Sequence, residues 1–323
     1  MRYLVTGGAG FVGSHLVDSL VAQGHRVTIL DDLSTGRHDN IRAHMDNPDV
    51  EFVLGSILNA DLVEDVVRRN DAVFHLAAAV GVQLIVQRPL ESLATNIRGS
   101  EVVLAKCHQY GRKVLVTSTS EIYGKNTSDA LFETDDRILG SPQKTRWSYS
   151  EAKAIEEVLA HAYWREKGLP TVIVRLFNTV GPRQVGHYGM VVPRLVHQAV
   201  HGMPLTVYGD GTQRRCFCHV QDVVRALSEL MVAPDAEGQV FNVGSQDEIS
   251  IRHLAERIKE QLDSPSPIEL ISYEEAYEVG FEDMERRRPS IAKVHDAIGW
   301  KPELGLDDII QSVAADMGTR RDG

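Results

Sequence analysis

The 323-residue chain is predicted to fold as an α/β protein, a doubly wound parallel sheet with a smaller interleaved domain toward its C-terminal end. Three observations predict it. Apolar strand-like runs alternate with helical runs from the second residue onward. Glycines recur as G-x-x-G-x-x-G between the first strand and the first helix. Beyond about residue 180, glycine and proline become frequent and the elements shorten.

Taken in order, residues 2–6 form a strand that runs into Gly7, Gly10, Phe11, Val12 and Gly13, and a helix follows through Leu16, Val17, Leu20 and Val21 to Gly24. Glycines there give the tight turn, the close approach of backbone to a pyrophosphate and the packing of helix on strand, while the helix N-terminus favours negative charge. A second strand, residues 26–30, ends in Asp31 and Asp32. An acid at that place accepts from the ribose hydroxyls of NAD and repels the extra phosphate of NADP, so an NAD site is expected. Strand 50–54, helix 60–69 and strand 71–75 continue the alternation, and the residues Leu76, Ala77, Ala78 and Ala79 suit a backbone passing close to the cofactor. His75 reads as a packed strand-end histidine rather than a catalyst. Helical patterns cover 89–110 and 148–167, and 172–176 is a further strand.

Val114 to Ser118 make a strand buried on both faces, and polar residues begin where it ends, with Thr119, Ser120 and Glu121. Ligands bind at such strand ends in an open parallel sheet. Tyr149 and Lys153 are four apart at the start of a helix and so share a face, which lets the ammonium act on the phenol. A phenol titrates at about 10, so a tyrosine base at neutral pH needs roughly three units of help, or about 4 kcal/mol. The lysine and a cationic nicotinamide can supply it. An isolated Tyr-x-x-x-Lys is more often a surface pair; the glycine motif in the same chain gives this one weight.

After the segment 177–183, Gly186, Gly189, Pro193, Gly202, Pro204, Gly209 and Gly211 break the pattern, and substrate-binding structure is placed there. Residues 217–232 and 240–243 read as a helix and a strand returning to the first domain, and 264–267 as a loop. The division expected is therefore 1–180 plus about 217–247 for the dinucleotide domain, with 181–216 and 248–323 for the smaller one. Thirty-four Lys and Arg against 45 Asp and Glu give a formal charge of -11, which argues against nucleic acid or an anionic membrane surface as partner. The clusters Arg214-Arg215 and Arg286-Arg287-Arg288 stand out in this acidic chain as either solvated basic faces or bidentate sites for phosphate or carboxylate. Cys107, Cys216 and Cys218 form no disulfide framework, and the Cys-x-Cys pair reads as structural. No metal site is expected. With no apolar run long enough for a signal or a membrane span, a cytoplasmic protein is expected.

Together the glycine motif, Asp31, Tyr149 with Lys153, Phe177-Asn178-Thr-Val-Gly-Pro-Arg183 and Tyr208-Gly-Asp-Gly-Thr-Gln213 resemble the extended short-chain dehydrogenase/reductase family, in particular its nucleotide-sugar epimerases, dehydratases and decarboxylases. The resemblance implies an NAD-binding Rossmann domain, a smaller domain holding a nucleoside diphosphate sugar (a UDP-linked one), and a homodimer built on the two long helices. In such proteins the tyrosine takes the O4 proton of the sugar while hydride passes from C4 to NAD. Dehydratases usually carry Asp-Glu after the strand, and 4-epimerases Ser or Thr with a small residue. Thr119-Ser120-Glu121 is similar instead to the UDP-glucuronate decarboxylases, as are Lys144-Thr-Arg-Trp147-Ser-Tyr149 and Glu285-Arg-Arg287-Arg-Pro-Ser-Ile291.

That likeness implies Tyr149 as base, Lys153 as the group lowering its pKa, Ser120 as hydrogen-bond partner to O4, Glu121 in proton handling at C5, and Arg287 orienting the carboxylate or phosphate. Asn178, Val207, Tyr208 and Arg215, with Arg287, are the expected substrate contacts, and Arg183 and Arg194 are further arginines available to UDP. Ser56 and Ile57 stand where the family commonly places an acid for the adenine, and are the cofactor contacts expected there. A UDP-sugar 4-epimerase is the alternative enzyme, with Glu121 against it; a dehydratase is disfavoured by Ser120. From another class, an NAD-binding scaffold is opposed by the intact Tyr149, Lys153 and Glu121.

Overall fold

The computed structural model describes residues 1–79, 88–144, 147–184, 190–272 and 287–319; Thr145, Arg146, Gly186, Gly189, Glu285 and Arg286 of the motifs above lie outside them. β1 (Arg2–Thr6), α1 (Phe11–Ala22), β2 (Arg26–Asp31), β3 (Val50–Leu54), α2 (Ala60–Arg68) and β4 (Ala72–His75) follow one another as the sequence pattern predicts. The region expected as one helix over 89–110 is a continuous rod of three parts: α3 (Pro89–Leu93), π-helical turns over Ala94–Gly99, and α4 (Ser100–Tyr110). Then come β5 (Lys113–Thr119), α5 (Ser148–Lys167), β6 (Thr171–Leu176) and the short β7 (Thr179–Val180). The chain continues through α6 (Val191–Val200), β8 (Leu205–Tyr208), β9 (Arg214–Cys216), β10 (Cys218–His219), α7 (Val220–Val232), β11 (Gln239–Val243) and β12 (Glu248–Ser250). It ends with α8 (Ile251–Gln261), β13 (Ile268–Ile271), α9 (Ala292–Ile298) and α10 (Leu306–Thr319).

Seven strands form one sheet in the order β11-β6-β5-β4-β1-β2-β3, parallel throughout. The period of two along each strand explains their continuous apolar character. Leu4, Val73, Val114 and Val116 join a core with α2, α4 and α5 on one face, while Val5, Phe74 and Leu115 join a core with α1 and α7 on the other. The order reverses at β1 and β4, which opens a crevice at the C-terminal ends of those strands.

A third core is built around Leu195, Val207, Leu254 and Ile309. One stretch differs from the sequence expectation. Helix was expected from residue 217, but Cys218 and His219 pair in parallel with Thr179 and Val180, and the His219 ring accepts from Gln221 N at 3.1 Å, so the helix starts at Val220. Phe217 buries in the third core, and Val294 and Trp300 bury in the first; the Trp300 indole donates to Asp222 O at 2.9 Å. Among the described residues no helix is long and apolar enough to cross a membrane.

Candidate active site

At the crevice the walls are backbone. Gly7 has φ +72°, and a Cβ there would lie 2.8 Å from Ala77 N. A Cβ on Gly13 would lie 2.1 Å from Gly7 O. Any larger residue would push the loop, α1 and the end of β4 apart. Over the N-terminus of α1 lies a cavity of about 240 Å³, lined by Gly7, Gly10, Phe11, Val12 and Gly13, by Asp31 and Asp32, and by Ile57, Leu76, Ala77 and Ala78. Ser56 does not line it; its Oγ accepts from Leu58 N at 3.3 Å and shapes the turn instead. Thr95 of the π-helical turns, and Arg183, Gln184 and Met190 from a distant part of the chain, also line the cavity. Only the Gly-Pro-Arg motif could have pointed to any of these four.

Asp31 is buried, with Oδ2 accepting from Ala9 N at 2.9 Å and Oδ1 from Leu33 N at 2.8 Å. Burial pushes its pKa up and the two backbone bonds oppose that shift. The acid thus ties the glycine turn to β2 while it borders the cavity. Backbone N–H groups at a helix N-terminus, glycines with no room for Cβ, and a carboxylate at the second strand end fit a dinucleotide, and the acid favours NAD.

Tyr149 and Lys153, both buried, open α5 beside the end of β5. Lys153 Nζ donates to Thr117 O at 2.8 Å and to Glu156 Oε2 at 2.7 Å. Burial pushes the Tyr149 pKa up, with Glu121 and then Glu156 adding to the rise. The Lys153 ammonium thus sits between the Thr117 carbonyl and the Glu156 carboxylate. Glu156 was legible only as the residue one turn past Lys153.

Thr119 Oγ1 accepts from Glu121 N at 3.2 Å and starts the 3₁₀ turn Ser120–Tyr123, which presents buried Ser120 and the Glu121 carboxylate at the strand end. A network outside the sequence expectation holds that turn. Arg175 grips Glu157 at 3.0 and 2.8 Å and donates to Tyr123 Oη at 2.8 Å, and Tyr123 Oη donates to Asn242 Oδ1 at 2.8 Å. Arg287 arrives from the other end of the sequence, fixed by the backbone bonds of Leu131 N to Arg288 O and Ser290 N to Leu131 O, both 2.8 Å. Its Nη1 meets Glu121 Oε1 at 2.8 Å.

The remaining expected substrate residues make contacts of different kinds. Asn178, at φ +30°, donates from Nδ2 to Cys216 O at 2.9 Å and so anchors the strand that carries Arg215. Arg215 is buried and donates from Nη1 to Arg214 O at 2.8 Å. Val207 has its side chain wholly inside the third core, which leaves its backbone as its only means of touching a ligand. The Tyr208 ring is covered by the Arg194 guanidinium at 3.8 Å. Arg183 pairs with Asp18 at 2.8 Å at the rim of the cavity. His75 is a packed histidine at the strand end, and Cys107, Cys216 and Cys218 are buried free thiols. Among the described residues no group of three or more His, Cys, Asp or Glu could hold a metal.

A model of the NAD dependent epimerase/dehydratase family matches residues 3–244. Over 320 residues the chain is 39% identical to a UDP-N-acetyl-alpha-D-glucosaminuronate decarboxylase of Bacillus cytotoxicus, covering 96% of this chain and 97% of that protein. It is 36% identical over 323 residues to UDP-glucuronic acid decarboxylase 4 of Arabidopsis thaliana, covering 99% of this chain and 69% of the relative. Among solved structures, a UDP-glucuronic acid 4-epimerase from Bacillus cereus in complex with UDP-glucuronic acid and NAD superimposes with a TM-score of 0.88 at 26% identity, covering 99% of this chain and 100% of that one.

Proposed function

The chain belongs to the NAD-dependent epimerase/dehydratase family, and from that premise we propose that it decarboxylates UDP-glucuronate through a 4-keto intermediate. NAD, when bound, takes hydride from C4 and later returns it. The observation that carries the reading is the Glu121–Arg287 pair, 2.8 Å apart and largely shielded from water beside Tyr149. A 4-epimerase needs no acid near C5, and one acting on a neutral sugar needs no cation at C6, whereas a decarboxylase needs a cation to fix the C6 carboxylate and an acid near C5.

Each residue then has one task. Tyr149 accepts the O4 proton and Ser120 holds O4. With C4 a ketone, the C6 carboxylate is a β-keto acid; the C5–C6 bond breaks, CO2 leaves, and the electron pair passes into an enolate. Arg287 orients the carboxylate for that step, and Glu121 relays to C5 the one proton the reaction consumes. Tyr149 finally returns its proton to O4. The Bacillus relative, by its name, acts on the analogue bearing a 2-acetamido group; C4 to C6 are the same in both, so both sugars belong in the test.

Incubation with NAD and either UDP-linked uronate, followed by CO2 release, NADH absorbance and product mass, is expected to show loss of CO2. Conversion to the C4 epimer without change of mass, or turnover of UDP-glucose alone, would make the protein an epimerase and leave Glu121 a bystander. We also propose a homodimer, because Leu90, Ile155 and Val158, on the two long helices, are 82%, 41% and 68% exposed. A light-scattering mass of one 35.8 kDa chain would rule it out.

A further inference from the structure

Beneath Tyr149 and Lys153 lies a buried polar chain that none of these roles uses. Glu156, one turn beyond Lys153 on α5, is wholly buried. Its Oε2 accepts from Lys153 Nζ at 2.7 Å, and its Oε1 lies 3.4 Å from His75 Nε2 at the end of β4. His75, also wholly buried, reaches Ser100 Oγ at 2.9 Å through Nε2 and Thr6 Oγ1 at 2.8 Å through Nδ1. Lys153 makes its other bond to the Thr117 carbonyl of β5. Residues of β1, β4, β5 and α4 are thus linked, through His75 and Lys153, to one carboxylate of α5.

Burying a carboxylate is costly unless it is paired and hydrogen-bonded. A lysine that served only to draw the proton off a phenol would do so better with no anion against it, because the anion cancels part of its field. On the reading of Tyr149 as the base, we propose that Glu156 is a positioning residue that holds the Lys153 ammonium against the Thr117 carbonyl and limits how strongly that charge acts on Tyr149. Glu121 adds more than Glu156 to the rise of the Tyr149 pKa, but Glu156 is the carboxylate bonded to the Lys153 ammonium. Glu157 is neutralised by Arg175 at 2.8 Å and Glu121 by Arg287 at 2.8 Å. His75 stays neutral, its pKa pushed down to about 3 by burial and then by Lys153, so it contributes hydrogen bonds and no charge.

The test reads the phenol directly. Tyrosinate absorbance is titrated in the NAD-bound protein, with the Tyr149→Phe spectrum subtracted to isolate one of the nine tyrosines. Glu156→Gln, which keeps the shape and removes the charge, is expected to lower the Tyr149 midpoint by about one pH unit or more. Glu156→Asp keeps the charge and is expected to hold the midpoint closer to the parent value. An unmoved midpoint in folded Glu156→Gln, or no phenolate in either protein over the pH range in which both stay folded, overturns the proposal. If Glu156→Gln does not fold, nitrogen-15 NMR of lysine-labelled parent protein decides. The proposal requires one slowly exchanging, protonated Nζ signal that Lys153→Arg removes, and its absence is fatal. No sugar enters either measurement, so failure of the decarboxylase assay leaves this result standing.

Discussion

The two halves of the active site are made of different materials. The cofactor side is a surface of main chain, where Gly7 and Gly13 leave no room for a Cβ and Asp31 spends both oxygens on the backbone N–H groups of Ala9 and Leu33. The proposed sugar side is a meeting of charged and polar side chains drawn from distant parts of the sequence, with Glu121 against Arg287, Asn178 bonded to the strand of Arg215, and Arg194 over Tyr208. A surface of main chain binds whatever offers the right outline and tolerates no added volume. A meeting of side chains can be retuned residue by residue while the fold stays put.

Substitution can break that contrast in three places. The largest effect is expected from Gly13→Ala, whose methyl would lie 2.1 Å from Gly7 O. Calorimetry should find NAD binding lost, and melting should show destabilisation of about 1–3 kcal/mol. Normal NAD affinity in this variant would mean that the turn is not the rigid surface described. Next comes Glu121→Gln, which removes charge and adds no bulk. CO2 release should fall by about 10²- to 10⁴-fold while some oxidation at C4 survives as NADH absorbance; an unchanged CO2 rate would take Glu121 out of the mechanism. The smallest effect belongs to Gly111→Ala at the end of α4, where a Cβ meets nothing within 4 Å and only the φ of +62° is at issue. Its expected cost is about 1–2 kcal/mol in stability with NAD affinity intact, and a loss of NAD binding would show that backbone strain alone reaches the cofactor site.

The cofactor half was largely legible in the sequence because its information is local. Strand, glycine turn, helix and terminal acid fall within one βαβ unit, and Tyr149 and Lys153 within one helical turn. The Ser56 hydroxyl was not legible in the same way, since its bond from Leu58 N belongs to a turn and not to the strand pattern of β3. Arg183, Gln184 and Met190 border the cavity only because the chain returns to it from the smaller domain. The pairing of Glu121 with Arg287 depends on the Leu131 bonds to Arg288 and Ser290, a contact between remote segments that no periodicity reveals. Glu156 lay in plain view at helical spacing from Lys153, but its burial depends on His75 and Ser100, which belong to other elements. Phe217 carried a helical pattern and lost to the β7–β10 ladder, tertiary pairing overriding local preference.

Five residues of regular helix carry a side chain about 140° past a full turn, which would aim Thr95 and Ser100 in different directions. Over Ala94–Gly99 the π-helical turns close their hydrogen bonds across five residues instead, and Thr95 borders the cofactor cavity while Ser100 meets His75. The rod over 89–110 keeps time with one extra beat. Trimming that beat to make a tidier helix would change no side-chain chemistry, yet it would leave either the cavity wall or the buried histidine facing the wrong neighbour.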